Sequence, residues 1–410
     1  MNTIIKKRIL VVTQYIYPEN FKSNELVFEM AKRGYHVDVL TGIPNYPEGV
    51  YFKGYGLFKK RIEKKDGVTF YRCLQTPRGR KASGFGLALN YLSFVFFATL
   101  WVFFFFMWKK RYDVIITHEP SPITQLIPAI LLGKIRGVKV YSWIMDIWPD
   151  AIKNAVSEST YRRVFPLLNA VTEWTYKNSH KLLITSKGFE DLMCRYNDYH
   201  EKIVYYPNWS VDMSINTSDF KTPKLPDGFK IMLAGNLGDG QDLDSVGECI
   251  KLLKDCKEVK WIFVGDGSRK KWLDQFIIDN DLSDCAVTLG RFPGSAMPAF
   301  FKEADAMLVT LRGGFIDLDM TVPARVQSYM SAGRPILGMI GKGTVDLLNE
   351  YDCGYAVTPS DYKALADVIR NKVLTDKEGF ARKGINGRKM YEEQFTLKKC
   401  IDHLEEIISD

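Results

Sequence analysis

Short apolar runs alternate along this chain with longer segments in which apolar residues recur every three or four positions. The first run, 8–13 (RILVVT), is typical of a strand that is buried on both faces. Residues 23–33 (SNELVFEMAKR) have helical spacing, with Ser23 as the expected cap and Gly34 as the end, and 36–41 (HVDVLT) predicts the next strand. A strand, a helix and a strand at this spacing predict a parallel sheet with right-handed crossovers.

The same alternation repeats in two sets, which are separated near 203–212 (IVYYPNWSVD). In the first set we expect further strands at 113–117, 138–144 and 181–185, and helices at 122–136 and 161–178. In the second set we expect strands at 229–234, 259–264, 286–288, 306–310 and 335–339, and helices at 242–255, 268–279, 295–303, 323–332 and 361–373. Each set predicts a doubly wound α/β unit, and together they predict two Rossmann-like domains facing across a cleft.

A length of 410 residues suits two such domains. We expect an N-terminal, acceptor-side domain at 1–207 and a nucleotide-binding domain at 208–385. The remaining segment, 386–410, contains a helix at about 390–408 that is a candidate to cross back to the first domain. A dehydrogenase is excluded early, because the first predicted strand is followed by 14–20 (QYIYPEN) and not by a glycine fingerprint.

The most apolar segment is 85–108, which has 24 residues, no charge and 11 aromatic side chains. Its length meets the criterion for a transmembrane helix. Strands precede and follow it, however, and a single crossing would place strands of one sheet on opposite sides of a bilayer. We therefore favour a helix or helical hairpin that dips into one leaflet, with a buried helix of a soluble fold and a true span as alternatives.

Charge supports a membrane surface as a partner. The chain has a formal net charge of +8, and residues 51–140 hold 16 Lys and Arg against 4 Asp and Glu. Basic residues flank the apolar segment: Arg78, Arg80, Lys81, Lys109, Lys110 and Arg111. Basic charge beside apolar bulk is typical of contact with anionic lipid, and no nucleic-acid motif accompanies it, so we expect no nucleic-acid partner. Seven scattered cysteines without a Cys-x-x-Cys pair favour reduced thiols, and we expect no signal peptide at the N-terminus.

Three stretches of the second set carry candidate chemistry for a diphosphate. Residues 234–243 (AGNLGDGQDL) and 263–268 (FVGDGS), the latter followed by 290–292 (GRF), are strand-to-helix loops that expose backbone N–H groups. Each of these is a weak signal alone, because glycine also marks plain turns. The third stretch, 321–337 (TVPARVQSYMSAGRPIL), is more specific, since it predicts a helix closed by Gly and Pro just before a strand.

With this third stretch the sequence resembles the family-4 retaining glycosyltransferases, and most closely the branch that transfers N-acetylfucosamine or related sugars in bacterial O-antigen and capsule assembly. The resemblance covers nearly the whole chain, including 17–19 (YPE), 33–42 (RGYHVDVLTG), 44–49 (PNYPEG) and 146–150 (DIWPD). It implies a GT-B hexosyltransferase with a UDP-sugar donor, no metal and no cofactor. It also implies a polyprenyl-diphosphate-linked saccharide as acceptor and a peripheral or monotopic location on the cytoplasmic face of the bacterial inner membrane.

The resemblance also implies which residues bind the donor. A basic residue after the helix-opening proline contacts the diphosphate in that family, and Arg325 has this position here, where a planar guanidinium suits a phosphate pair. The family's glycine loop carries Arg and Lys where this chain has Asn236 and Gln241. Its paired glutamates correspond to Met320 and Ser328, so contacts to the sugar would pass to Thr321, Ser328, Asp317 or Asp319. The expected donor-binding residues are Gly235, Asn236, Gln241, Gly265, Asp266, Arg291, Phe292, Thr321, Val322, Pro323 and Ser328.

The acceptor side is expected at the ends of the first set of strands. Asp146 is a candidate base for the acceptor hydroxyl, with a turn or helix cap as the alternative, and His118 is a second candidate base, with a structural role as its alternative. The expected catalytic residues are Asp146, His118 and Arg325. The expected contacts on the acceptor or phosphate side are Glu19, Asn20, Lys22 and Glu119.

Two short acidic patterns, Asp242-x-Asp244 and Asp317-x-Asp319, resemble those of metal-dependent transferases. They are common by chance, and Asp242 precedes a predicted helix that it could cap, so we expect no metal site. Two other functions stay open: a GT-B nucleotide-sugar 2-epimerase, which would not need the apolar segment, and a non-catalytic polysaccharide-assembly protein, which would explain the missing glutamates.

Overall fold

The structure is a computed structural model and describes residues 7–80, 84–109, 111–154, 156–195, 197–215 and 220–409. Lys81 and Lys110, two of the expected basic flanks, lie outside the described residues. The chain divides into two compact units, one formed by the residues up to Tyr206 and those from Ile401 onward, the other by Pro207–Cys400. Each unit is an α/β domain around its own parallel sheet.

The first unit is built on an eight-stranded sheet. Its strands are β1 (Arg8–Val12), β2 (His36–Thr41), β3 (Ile62–Lys65), β4 (Val68–Arg72), β5 (Val114–Glu119), β6 (Lys139–Ile144), β7 (Lys181–Ile184) and β8 (Ile203–Tyr205). Their order is β3-β4-β2-β1-β5-β6-β7-β8, and only β3 runs antiparallel to its neighbour. The helices are α1 (Lys22–Lys32), α2 (Gly84–Phe104), α3 (Ile127–Arg136), α4 (Glu158–Asn178) and α5 (Phe189–Met193).

The second unit is built on a six-stranded, all-parallel sheet. Its strands are β9 (Phe229–Asn236), β10 (Val259–Asp266), β11 (Ala286–Gly290), β12 (Ala306–Thr310), β13 (Ile336–Met339) and β14 (Gly354–Val357), in the order β11-β10-β9-β12-β13-β14. Its helices are α6 (Leu243–Leu252), α7 (Lys270–Asp279), α8 (Met297–Glu303), α9 (Ile316–Met320), α10 (Ala324–Ser331), α11 (Lys342–Glu350), α12 (Tyr362–Val368) and α13 (Lys377–Met390). The predicted fold class, two Rossmann-like α/β domains, is confirmed.

The structure differs from the predicted elements in several places. The hairpin of β3 and β4 was not expected, because the mostly exposed IEKK of β3 lacks the apolar run of a buried strand. Ser23 does not cap α1: the helix starts at Lys22, and Ser23 is buried on its inner face together with Leu26 and Met30. The helix expected over 390–408 is divided, since a turn at Tyr391–Phe395 separates α13 from α14 (Leu397–Ile407).

Part of α14 belongs to the first unit and is tied to it by charge. Arg33 donates to Asp402 at 2.7 Å and to Glu405 at 2.8 Å, and Ile401 and Leu404 are fully buried. The chain therefore returns to the first unit at residue 401.

The apolar segment forms one long helix and not a hairpin. Among the described residues, Gly84–Trp108 is the one helical stretch that is long and apolar enough to cross a membrane. The buried positions of α2 are Asn90, Phe94, Ala98 and Val102, which form a narrow stripe at intervals of four residues. Because β1, before this helix, pairs with β5, after it, both strands lie on the same side of any membrane, and a single span is incompatible with the sheet.

The other side of α2 is apolar and exposed. Its exposed residues are Phe85, Leu89, Leu92, Phe96, Phe103 and Phe104, with Trp108 just beyond the helix. Lys109, expected as a basic flank facing lipid, instead bonds to the buried carboxylate of Asp38 at 3.1 Å. This ion pair anchors the C-terminal end of the helix to β2.

Candidate active site

A cavity of about 470 Å³ lies at the carboxyl ends of β9 and β10 in the second unit. Open α/β sheets bind their ligands at this edge. The cavity is lined by Gly235, Asn236, Val264, Gly265, Asp266, Gly267, Arg291, Phe292 and Met297. Six of these were expected to bind the donor, so the structure brings together residues that are as much as 57 positions apart in the sequence.

Glycine is required at this edge because two backbones meet there. Gly265 pairs with Gly235 in the register of the two strands, and a Cβ on Gly265 would lie 1.8 Å from the carbonyl oxygen of Gly235. Gly235 itself has φ +128°, a conformation that side chains disfavour. The floor of the cavity is therefore bare backbone, which a ligand can approach closely.

Arg325 lies next to this floor. A Cβ on Gly235 would be 3.6 Å from Nη2 of Arg325, and Nη1 is buried without a hydrogen-bond partner. Tyr329, one turn further along α10, donates its hydroxyl to the carbonyl of Ala234 and accepts from the Ala234 N–H, both at 3.2 Å. This pair of bonds fixes the start of α10 against the end of β9 and aims the guanidinium at the glycine turn.

Five of the expected donor residues do not line the cavity. Gln241 is buried, and its carbonyl accepts from the hydroxyl of Thr310. Thr321 donates to the carbonyl of Asp317 at 2.8 Å, and Ser328 shares a hydrogen bond of 2.9 Å with Ser210. Val322 is buried in the core, and Pro323 is the N-cap residue of α10. These residues position the helix, and their side chains are engaged within the protein.

The acidic patterns are engaged with other groups. Asp242 is the N-cap residue of α6, but its carboxylate does not cap the helix and instead accepts from Ser360 at 2.6 Å. Asp244 pairs with two guanidinium groups, those of Arg269 and Arg312. Among the described residues, the one group of side chains spaced to hold a metal ion is Cys194, Asp198 and His200, which includes neither pattern.

In the first unit, Asp146 follows β6 and is joined to the loop after β5. Its Oδ2 accepts from the Ser121 hydroxyl at 2.5 Å, and the indole of Trp148 donates to the same hydroxyl oxygen at 3.1 Å. Burial raises the pKa of Asp146, while the bond from Ser121 opposes that shift. Ser121 has φ +76°, a strained conformation that turns its hydroxyl toward Asp146.

His118 and Glu119 end β5 and are buried. Both ring nitrogens of His118 lack a partner, and its ring packs on Trp143 at a centroid distance of 4.8 Å. Burial lowers the pKa of His118 to about 3, so the imidazole is neutral at physiological pH. Burial and the charge of Asp146 raise the pKa of Glu119 well above its ordinary value, against the effect of backbone N–H groups that bond to it.

The remaining acceptor-side candidates are spread over the loop after β1. Glu19 is buried, and its carboxylate accepts from the backbone N–H groups of Asn45 and Tyr46, each at 2.7 Å. Burial raises its pKa to about 7. Glu19 therefore holds the loop at 43–46 in place, which accounts for its proximity to the motif at 44–49. Asn20 is exposed, and Lys22 forms an ion pair with Glu25 at 3.7 Å.

The sequence reasoning missed several residues that the fold adds to these sites. Met297 enters the nucleotide-side cavity from the start of α8. Asn90, in the buried stripe of α2, accepts from Gln14 at 2.8 Å and from the Tyr15 hydroxyl at 2.6 Å, so the apolar helix is bonded to the loop after β1. An uncharged polar residue within an apolar run was the available signal for Asn90. Ser121 could have been found as the first hydroxyl after the His118-Glu119 pair.

Comparison with known proteins gives a consistent result along the chain. The family model described as "Glycosyl transferase 4-like domain" matches residues 23–209, and the one described as "Glycosyl transferases group 1" matches residues 228–375. WcaI of Escherichia coli (strain K12), which carries a provisional assignment as a colanic acid biosynthesis glycosyl transferase, is 25% identical over 384 residues, covering 87% of this chain and 88% of that protein.

Solved structures share the fold at low identity. HepE of Anabaena, determined in complex with UDP, has a TM-score of 0.66 and 15% identity, with 98% of this chain and 99% of that chain covered. Sucrose-phosphate synthase of Thermosynechococcus elongatus has a TM-score of 0.69 and 15% identity, with 98% of each chain covered.

Proposed function

The chain belongs to the glycosyltransferases of the GT-B fold, and on that premise we propose that it is a retaining enzyme of bacterial surface polysaccharide synthesis. It moves an N-acetylhexosamine from a UDP-sugar to a saccharide carried on a polyprenyl diphosphate. The observation that carries this proposal is the cavity at Gly235 and Gly265, which has Arg291 in its wall and Arg325 beside its floor. Bare backbone and two cations suit a diphosphate better than a neutral ligand.

Arg325 has the central role in this proposal. When the bond between the sugar and the β-phosphate breaks, negative charge grows on the leaving diphosphate, and a cation already held in place lowers the barrier. The new bond forms between the same carbon and the acceptor oxygen, on the face that the diphosphate leaves. The acceptor proton passes to the departing phosphate, so no cofactor or metal is needed.

On the acceptor side we assign the hydroxyl-binding role to Asp146. Its carboxylate is partly exposed and is held by Ser121, which suits a group that accepts a hydrogen bond from an acceptor hydroxyl. His118 is fully buried and neutral, and this environment favours a role as a hydrogen-bond partner over that of a strong base.

The donor sugar is proposed from resemblance. We favour an N-acetyl-6-deoxyhexosamine such as N-acetylfucosamine, and the polysaccharide role of the Escherichia coli relative supports a surface polysaccharide as product. Met320, in place of a glutamate, removes one carboxylate from the usual set of sugar contacts. A panel of UDP-linked hexoses, N-acetylhexosamines and their 6-deoxy forms identifies the donor by its kcat/KM.

We further propose that α2 rests in the cytoplasmic leaflet of the inner membrane. Phe85 and Phe104, at the two ends of α2, are 80% and 79% exposed, and Trp108, just beyond, is 81% exposed. Such large apolar side chains bind an interface favourably. The test is flotation with vesicles that contain anionic lipid: we expect the protein to float at low salt and to need detergent for release. Complete recovery in a detergent-free supernatant would contradict the proposal.

The activity itself is tested by measuring UDP release from UDP-sugars with and without a polyprenyl-diphosphate-linked saccharide. A transferase releases UDP only when the acceptor is present and extends the saccharide by one sugar. An epimerase releases UDP or changes the sugar at C2 without acceptor. A non-catalytic protein binds UDP without releasing it from the sugar.

A further inference from the structure

A second cavity, of about 380 Å³, lies in the first unit between α2 and α4 and is almost entirely apolar. Its volume falls within the range of about 300–1,000 Å³ that small-molecule sites occupy. One wall is the N-terminal part of α2, including Leu87, Ala88 and Tyr91, and the other is the N-terminal half of α4, including Val164 and Leu168. No residue is buried between Glu158 and Val171 of α4, so this half of the helix is not part of the protein core.

The inner end of the cavity is polar and adjoins the candidate acceptor site. Ser121 and Trp148 both line it, and both take part in the hydrogen bonds that lead to Asp146. Tyr91 lies in the same wall and is within the electrostatic reach of Asp146 and of Arg78. The Arg78 guanidinium packs on the ring of Tyr46 at 4.9 Å, and none of its ion pairs lies within the part of the chain that the structure describes.

The outer end of the cavity opens at the surface and is continuous with the apolar face of α2. Leu92 and Leu167 line the cavity from its two walls and are 62% and 70% exposed. Leu89 and Phe96 extend the exposed face along the same helix. The cavity thus leads from the proposed lipid-facing surface to the Ser121–Asp146 pair, with one positive charge near its inner end.

We propose that this cavity binds the first isoprenoid units of the lipid-diphosphate acceptor. The hydrocarbon occupies the crevice between α2 and α4, and Arg78 faces the diphosphate. This inference rests on the proposed transferase function, and it adds a binding site for the lipid part of the substrate. An apolar wall with a cation at its inner end matches an isoprenyl diphosphate in charge and in polarity.

The test is photo-labelling with a farnesyl diphosphate that carries a benzophenone group, followed by peptide mapping. We expect the label on residues 84–92 and 164–168, and competition by unlabelled long-chain isoprenyl diphosphate. Ala88→Trp fills the cavity from its wall and is expected to reduce labelling at least fivefold. Leu89→Trp, one residue along the same helix but outside the cavity, is the matched control and keeps wild-type labelling and membrane binding.

A kinetic arm uses the same two variants with two acceptors. For Ala88→Trp we expect KM for a long-chain acceptor to rise about tenfold, while KM for an acceptor with a short, water-soluble alkyl chain stays at the wild-type value. Labelling that maps elsewhere, that survives Ala88→Trp, or that phospholipid vesicles displace as well as isoprenyl diphosphate does would overturn the inference. Correct labelling without transfer to either acceptor would refute the proposed function and leave the lipid site standing.

Discussion

Replacing Arg325 with methionine separates its role in catalysis from any role in folding. In the unliganded protein its Nη1 is buried without a partner, and no carboxylate of the described residues lies within ion-pair distance. Removing a buried charge that is not compensated is neutral or stabilising, and methionine keeps most of the volume. We therefore expect the free energy of unfolding to stay the same or to rise by about 1 kcal/mol.

The effect on the donor has the opposite sign. A unit charge about 4 Å from a phosphate charge contributes about 4 kcal/mol at an effective dielectric constant of about 20. Direct hydrogen bonds to a charged group contribute about 1.5–3 kcal/mol, which brackets the loss from below. At about 1.4 kcal/mol per tenfold change, kcat/KM for the UDP-sugar should fall by about 10²–10³-fold, and Kd for UDP should rise at least tenfold.

The assay combines isothermal titration with UDP, steady-state kinetics and urea unfolding of the same preparations. Arg370→Met is the control, because it removes the same charge from the same unit at an exposed site where Arg370 bonds to Asp255. It should leave UDP binding within twofold. If Arg325→Met binds UDP within threefold of wild type, or unfolds more than about 2 kcal/mol more easily, the assignment of Arg325 as an anion site held ready by the fold is wrong.

Three further predictions follow from buried groups. Gly265→Ala should lower the free energy of unfolding by about 2–4 kcal/mol in urea and weaken UDP binding, because its Cβ would meet the backbone of Gly235, whereas Gly240→Ala, which faces open space, should change neither. Ser121→Ala removes the hydrogen bond that opposes the raised pKa of Asp146, so the acid limb of the pH–kcat/KM profile should move to higher pH; a limb that does not move would contradict the role of Asp146. His118 is neutral in the fold, with a pKa of about 3, and its ordinary pKa is 6.5, so wild-type stability should be complete above pH 6.5 and decline by up to about 4–5 kcal/mol towards pH 3. His118→Phe should have a flatter dependence of stability on pH over this range, and an equally steep one would show that other groups are responsible.

The fold class was within reach of the sequence, because both sheets are built from strands that helices cover on both faces. Such strands are runs of apolar residues like RILVV of β1, and this pattern is local. The glycine turns at Gly235 and Gly265 could also be predicted, since each stands between a strand and a helix. The exposed strand β3 could not, because the pairing partner β4 and not its own sequence makes it a strand.

The identity of the residues in the site was less accessible. Sequence proximity placed Gln241, Thr321 and Ser328 in the donor site, but the fold turns these side chains to partners within the protein. Glu19 was expected near substrate, yet it accepts two backbone N–H groups of a neighbouring loop. Which polar groups remain for a ligand depends on which ones the protein itself uses, and that is set by contacts between distant segments.

The sequence alone thus determined the alternation of elements, the two glycine turns and the apolar character of 85–108, because each of these depends on a residue and its near neighbours. The tertiary structure decided that 85–108 is one helix with a narrow buried stripe, that Arg325 lies beside Gly235, and that Ser121 joins Asp146. These contacts join positions that are 25 to 90 residues apart. Only packing of the strands side by side brings them together, since the register of a parallel sheet is a property of the whole domain and not of any one segment.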